Sequence, residues 1–338
     1  MAPTTDSPAV AMRRLINGYQ VTQALCVAAT LGLADMLDSG PRTSDDLAAE
    51  TGAHAETLYR LMRALATVDI VREEPRRNFR LTDFGAVLRT DHPHSARGWA
   101  MFVGEPSYWQ AWGDLLHSVQ TGENAFRHIH GTDPWSYRAQ HPHVSELFDR
   151  VMASNSSTLA EQITNVVDFG RFATIVDVGG GNGALLAAIL ANHRDQRGIV
   201  FDQPHVVSGA TSVLAAAGVE DRCAIVDGSF FDAVPAGGDA YLLKAIIHDW
   251  EDEDCLRILR VCRQAMDVGN ALLIIERELG EPNERQEAKF ADLNMLVSPG
   301  GRERTTAEYA GLVEAAGFRF VGVTPTAAGL AVFESTAI

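Results

Sequence analysis

Cysteine is scarce in this chain, and so is positive charge. The four cysteines, Cys26, Cys223, Cys255 and Cys262, form no Cys-x-x-Cys pair among 338 residues. A disulfide framework and a cysteine-based zinc site are therefore excluded. Cys255 and Cys262 share a face of a predicted helix and read as core. Lys and Arg number 28 against 44 Asp and Glu, which leaves a net charge of −16. An acidic chain lacks the basic face that phosphate backbones demand, so nucleic acid and anionic membranes are poor partners for it. No apolar run reaches the length of a membrane span. The opening residues, Met-Ala-Pro-Thr-Thr-Asp-Ser-Pro, lack a basic-then-apolar leader. Together these absences predict a reduced, cytoplasmic protein.

What is present is ordinary for a globular chain: 46% hydrophobic and 21% charged residues. The length suits about two domains. Residues 1–10 are rich in Pro, Ser and Thr and are expected to lack structure. From Ala11 to Arg89 the pattern is helical with short breaks. Thr43-Ser-Asp-Asp carries a helix-capping signal, and Thr51-Gly52 closes that helix. A second helix follows from Ala55 to Val68. Ile70-Val-Arg and Phe79-Arg-Leu flank a turn and read as a hairpin. Helix, turn, helix and hairpin make a winged-helix pattern, which admits a ligand-responsive DNA-binding regulator as a rival reading. The second helix offers Arg60 and Arg63 but also Glu56. With so acidic a chain, packing and dimerisation explain the pattern better than a DNA groove does.

Residues 99–165 read as helical and aromatic. Most of those rings belong to a core, and a minority, Trp109 and Phe148 among them, should line a pocket for a flat substrate. His128-x-His130 and His141-x-His143 lack an acidic or cysteine partner at ligand spacing, so they read as solvated loop histidines and no metal site is expected. From Phe169 onward strands and helices alternate. Strands are predicted at 174–178, 198–202, 223–227, 240–244, 271–276, 317–323 and 330–334. The first five imply a parallel sheet covered on both faces. The last two have no helix between them and should form an antiparallel hairpin. The expected fold is α/β, a Rossmann-like seven-stranded sheet behind an N-terminal, mainly α winged-helix domain. The boundaries are 1–95 for the winged helix, 96–168 for a helical linker and substrate wall, and 169–338 for the sheet.

The richest segment is Ile175-Val-Asp-Val-Gly-Gly-Gly-Asn-Gly-Ala184. Apolar β-formers containing Asp177 lead into a glycine turn that opens a helix. Gly179, Gly181 and Gly183 allow a tight turn and close approach of a ligand. The helix start adds free N–H groups and a positive dipole end. Asp202 closes the next strand, about 20 residues on, the usual reach of an acid that binds a ribose. Both NAD and S-adenosylmethionine carry a ribose, so this loop alone leaves the cofactor open. A dehydrogenase would need a second mononucleotide-binding half, and none is apparent.

Further segments decide it. Phe148-Asp-Arg-Val-Met152, the glycine segment itself, Phe201-Asp-Gln-Pro-His205, Leu243-Lys-Ala-Ile-Ile-His-Asp-Trp-Glu-Asp-Glu253 and Ser298-Pro-Gly-Gly-Arg-Glu-Arg304 follow one another in order. In these segments and their spacing, nearly the whole chain resembles the small-molecule O-methyltransferases of the plant caffeate and flavonoid type and their bacterial antibiotic-pathway relatives. The resemblance implies S-adenosylmethionine as cofactor, an intertwined homodimer built by the N-terminal region, and a phenolic or polyketide-like substrate. It implies His248 as a general base acting without a metal, flanked by Glu276 and Glu303, with Asp249 beside it. For the cofactor it implies Asp202 at the ribose and the 179–183 loop, with Asp177 in its leading strand, near the methionine portion. Lys244 and the stretch through Ser229 and Phe230 would lie near the adenine and sulfonium. The family commonly carries an acid where this chain has Ser229, although Asp227 is close by. Met152, Asn294 and Met295 match substrate-lining positions. A relative that keeps the cofactor but decarboxylates or hydroxylates an aromatic polyketide is the nearer rival. Retention of His248, Glu276 and Glu303 argues against it.

Overall fold

The computed structural model describes residues 7–327 and 329–338, without the side chains of 153–158. Of the N-terminal stretch expected to lack structure, residues 1–6 lie outside the described residues. From Pro8 the chain is already helical, Pro8–Ile16. Proline suits a first helical turn because its φ is pre-set and its missing N–H is not needed there. The chain divides into two compact units. One takes the chain up to Trp109 together with Glu146–Val151; the other takes Gln110–Ser145 and Met152–Ile338.

In the first unit the helix Ser44–Thr51 starts where the Thr43 hydroxyl accepts the Asp46 N–H at 3.1 Å, and it stops at Gly52 with φ +71°. The next helix, Ala55–Ala66, buries Leu58, Met62 and Leu65 on one face. Three short strands, β1 (Arg42–Thr43), β2 (Val71–Glu74) and β3 (Asn78–Leu81), pair antiparallel in the order β1-β3-β2. This is the expected winged-helix arrangement with β1 added; two residues are too few to show a strand period. The helix Pro8–Ile16 buries none of its residues. Met12, Leu15, Ile16 and Tyr19 are 57%, 75%, 64% and 54% exposed.

The second unit holds the seven-stranded sheet. Its strands are β4 (Thr174–Val178), β5 (Arg197–Asp202), β6 (Cys223–Asp227), β7 (Ala240–Lys244), β8 (Ala271–Arg277), β9 (Phe318–Pro325) and β10 (Leu330–Ala337). Their order is β6-β5-β4-β7-β8-β10-β9. The first five pair in parallel, and β10 runs antiparallel to β8 and β9. Alternate residues feed two separate cores. Leu242, Leu273 and Ile275 pack with Leu186 and Ile189 on one face. Tyr241, Leu243, Leu272 and Ile274 pack with Ile258, Leu259, Tyr309 and Val313 on the other. A strand period of two, buried on both sides, is the signature of a parallel sheet between helical layers. Cys255 and Cys262 are fully buried in the second core, as their spacing implied. The sheet brings the ends of β4, β5, β7 and β8 to one carboxyl edge, where open α/β sheets take their ligands.

Candidate active site

The glycine loop leaves β4 at this edge. Gly179, Gly181 and Gly183 take φ of +71°, +62° and +79°, a region in which a side chain is strained. Gly179 is doubly constrained, since a Cβ there would meet Ile246 Cδ1 at 2.4 Å. Gly183 caps the helix Ala184–Asn192. Asp202 is bound to this loop: its Oδ2 accepts the Gly181 N–H at 2.9 Å and its Oδ1 the Gln203 N–H at 2.7 Å. Burial pushes its carboxyl up, and the two N–H donors pull it back.

Behind the loop, Asp177 is 1% exposed and its Oδ2 has no hydrogen-bond partner. Burial raises its carboxyl to about 7, against the pull of Lys244 and with a further push from Asp202. Lys244, at the end of β7, is itself pushed down by burial and held up by the charges of Asp177 and Glu276. Asp177, Asp202 and Lys244 therefore form one electrostatic group around a glycine turn. An orphaned buried carboxylate oxygen, three positive-φ glycines and a helix start fit a polar, cationic nucleotide cofactor. Phe230 lies beside the turn, with its ring 3.7 Å from where a Gly179 Cβ would stand, and it meets the Trp250 ring edge-on. Ser229 accepts the Phe231 N–H at 3.2 Å and so shapes a turn of its own. Asp227 pairs in register with Asp202 but is exposed on the outer strand.

The second half of the site begins where β7 ends. Ala245 takes φ +54°, an uncommon conformation that swings the chain off the strand. The next N–H groups then converge on one carboxylate. Glu276 Oε1, at the end of β8, accepts from Ile246 and Ile247 at 2.9 Å each and from His248 at 3.3 Å. The His248 side chain turns back into the same acids. Its Nδ1 is 3.0 Å from Glu303 Oε1 and 3.3 Å from Glu276 Oε2, and its Nε2 is 3.5 Å from Asp249 Oδ1. The sequence candidates His248, Glu276, Glu303 and Asp249 thus meet in one cluster. Burial alone would lower the imidazole. The charges of Glu276, Asp249 and Glu303 and the Glu303 hydrogen bond overturn that and carry it to about 10. Burial raises Asp249 to about 6 and pushes Glu276 up as well.

On the helix Gln286–Val297, Asn294 accepts a hydrogen bond at its Oδ1 from Trp112 Nε1 at 3.2 Å, and Met295 is buried. Met152 falls in the same unit, whereas Trp109 and Phe148 fall in the first unit, where Phe148 packs on Phe102 at 5.6 Å. Arg304, which the sequence offers only within the Ser298–Arg304 segment, is fully buried in this region, and nothing in its local sequence marks it.

The reading of the other histidines as solvated loop residues needs correction. His128 and His130 lie on the helix Ala125–His130, and His128 Nδ1 is 2.7 Å from Asp114 Oδ2. The His117 and His128 rings stack at 3.7 Å. His141 stacks on Tyr137 at 3.8 Å. Asp114 is 14 positions before His128 and supplies the acidic partner that spacing did not reveal. Ligand atoms of Asp114, His117 and His128 lie within 4.8 Å of one another, as do those of His248, Glu276 and Glu303. The two stacked rings are 7° from parallel, so their lone pairs lie in separate parallel planes, a poor geometry for converging on one ion.

Known proteins share this fold. The family profile described as an O-methyltransferase domain matches residues 112–319, and that of the O-methyltransferase dimerisation domain matches 13–91. The chain is 44% identical to the phenazine O-methyltransferase PhzM of Lysobacter antibioticus over 96% of this chain and 95% of that protein. The crystal structure of LaPhzM superposes with a TM-score of 0.95 at 43% identity, covering 98% of this chain and 100% of that one. The O-methyltransferase NcsB1 from neocarzinostatin biosynthesis, solved with S-adenosyl-L-homocysteine and 1,4-dihydroxy-2-naphthoic acid, gives a TM-score of 0.80 at 35% identity, covering 94% and 96%. The aclacinomycin 10-hydroxylase RdmB of Streptomyces purpurascens is 33% identical over 100% of this chain and 93% of that protein. Among the described residues no helix is long and apolar enough to cross a membrane. With a profile match over most of its length and a relative 44% identical along nearly the whole chain, the chain belongs to the S-adenosylmethionine-dependent O-methyltransferase family.

Proposed function

We propose that this enzyme methylates a hydroxyl of a flat phenolic or polyketide-like small molecule, with His248 taking the acceptor's proton and no metal taking part. The observation that carries this is the placing of the His248 imidazole, 3.0–3.5 Å from three carboxylates, where β7 runs out at the cofactor edge. Asp202, the 179–183 loop, Asp177, Lys244 and Phe230 would hold the cofactor. When bound, S-adenosylmethionine supplies an electrophilic methyl group on a sulfonium that is already a good leaving group. The protein must orient the acceptor oxygen and take its proton. Orientation alone is worth roughly 7–11 kcal/mol in favourable systems.

The proton is the harder part. A phenol near 10 facing an ordinary histidine near 6.5 is mismatched by about 3.5 units, roughly 5 kcal/mol. The carboxylates around His248 close that gap by raising the imidazole to about 10. They also fill it with a proton at neutral pH. The productive pair is then imidazolium with phenolate, the same state whether the phenol gives its proton to His248 or arrives already ionised. Glu303 and Glu276 hold Nδ1 and leave Nε2 and Asp249 toward the acceptor. Met152, Asn294 and Met295 are assigned to its wall. The exposed apolar residues of Pro8–Ile16, a helix that runs into the matched dimerisation domain at residue 13, support a homodimer.

The hydroxylase relative keeps a second reading open, but the intact histidine–carboxylate cluster favours methyl transfer. The test is methyl transfer from labelled S-adenosylmethionine to a panel of phenols and hydroxynaphthoates, with and without EDTA. EDTA-resistant labelling of a phenol is expected. Loss of activity with EDTA, restored by added metal, would remove the metal-free mechanism, and oxygen consumption without methylated product would favour the hydroxylase.

A further inference from the structure

We propose that Arg304 is a positioning residue for His248, holding the turn from which the imidazole hangs; the proposal rests on His248 being the proton-handling group. Arg304 is 0% exposed. All five of its N–H donors are used. Nη1 donates to Ile247 O at 3.1 Å and Arg302 O at 3.2 Å, and Nη2 donates to Trp250 O and Asp252 Oδ1 at 2.8 Å each. Nε donates to Asp252 Oδ1 at 3.1 Å. Ile247 and Trp250 bracket His248-Asp249, so one planar fork grips the backbone on both sides of the catalytic pair. A lysine has three donors on a point charge and cannot span these acceptors.

The neighbours of Arg304 act on the same turn. Glu303, directly before it, reaches His248 Nδ1 at 3.0 Å. Gly301 lies flat on the turn: a Cβ there would stand 2.1 Å from His248 O and 2.4 Å from Trp250 N. The single Cys255 S–H lies between the same two carbonyls, with Sγ 3.2 Å from Ile247 O and 3.3 Å from Trp250 O. The segment 301–304 therefore fixes the orienting acid and the backbone of the imidazole as one body. A buried ion pair with no such duty could be replaced by apolar residues at little loss. This one spends three of its five donors on main-chain carbonyls instead.

The experiment is Arg304→Lys, with Asp252→Asn as a second variant in case the first does not fold. Asp252 is a half-exposed partner of the guanidinium, and its loss should loosen Arg304 without emptying the core. Three quantities are read on folded protein: kcat, affinity for S-adenosylhomocysteine, and the titration of His248 by imidazole NMR. The expected result for Arg304→Lys is a tenfold or greater fall in kcat with affinity changed less than twofold. The His248 titration should move down from its raised position toward the ordinary 6.5, because Nδ1 no longer meets Glu303 and Glu276 squarely while Asp249 still faces Nε2. Asp252→Asn should shift both readouts the same way by less. An unmoved His248 titration in a folded variant overturns the proposal, whatever happens to melting temperature. His248→Ala is run in parallel. If that variant keeps full turnover, the base reading falls, while the titration still decides whether Arg304 positions the ring.

Discussion

The winged-helix region and the carboxyl edge of the sheet handle charge in opposite ways. In the first, ion pairs lie outside: Arg42–Glu50 at 2.7 Å has side chains 29% and 51% exposed. Large apolar side chains lie outside with them, Leu15 at 75% and Ile16 at 64%. At the sheet edge the charges are inside. Glu303 and Glu276 have side chains 0% and 1% exposed around a His248 that is 15% exposed. Water screens the first kind, which contributes about 0–1 kcal/mol each. The second kind costs several kcal/mol per desolvated ion unless neighbours compensate. Altered proton affinities of this kind cluster at functional sites, so under the proposed function the contrast is between a surface offered to a partner copy and a site for proton handling.

His248→Ala should show the largest effect, a fall in turnover of roughly 10²–10⁴, the range for a positioned proton acceptor. Affinity for S-adenosylhomocysteine should barely move. Phenols of lower pKa should lose less rate, because they need less help to ionise. Wild-type rates with every phenol would make this histidine structural and dissolve the contrast drawn above.

Asp202→Ala comes next. Calorimetry with S-adenosylhomocysteine should show a loss of about 10–100-fold, in line with hydrogen bonds to a charged group. Part of that loss is indirect, since Asp202 also holds the Gly181 N–H. Unchanged affinity would remove the ribose assignment.

The pH profile sharpens the comparison further. His248 is raised to about 10, so at neutral pH it is protonated and its neutral form grows as pH rises. For a phenol near 10, kcat/KM should climb about tenfold per pH unit between roughly pH 7 and 9. A plateau reached just above 6.5 would mean that the surrounding carboxylates do not govern the imidazole.

Much of this was legible in the sequence. The alternation of Leu242–Leu243 and Leu272–Ile275 between two cores is local, so all seven strands of the large sheet could be placed. Gly179 to Gly183 and Asp202 lie close together in sequence and betrayed their turn. The pairing of His248 with Glu276 and Glu303 came from a family resemblance, because acids 28 and 55 positions away carry no local signal. A like separation, 54 and 57 positions, hid the Arg304 fork from the His248 turn, and even 14 positions sufficed to hide Asp114 from His128. Contacts between elements distant in sequence are invisible to periodicity, and the buried charge at the sheet edge is built from such contacts.

The smallest expected effect tests the outer half of the contrast. Glu50→Ala removes one carboxylate, as Glu303→Ala would, and breaks an ion pair of 2.7 Å. The pair is half solvated, so its loss costs about 0.2–1 kcal/mol. Glu50 also sits in the last turn of Ser44–Thr51, where a negative charge opposes the helix dipole; removing it returns about 0.3–1 kcal/mol. The two terms nearly cancel. Thermal unfolding should therefore shift by a degree or so in either direction, with kcat and cofactor affinity unchanged. A large loss of stability would show that this carboxylate is enclosed by something the isolated chain lacks. Light scattering on wild type and variant would then reveal it as a dimer contact, because the loss would track the fraction of monomer.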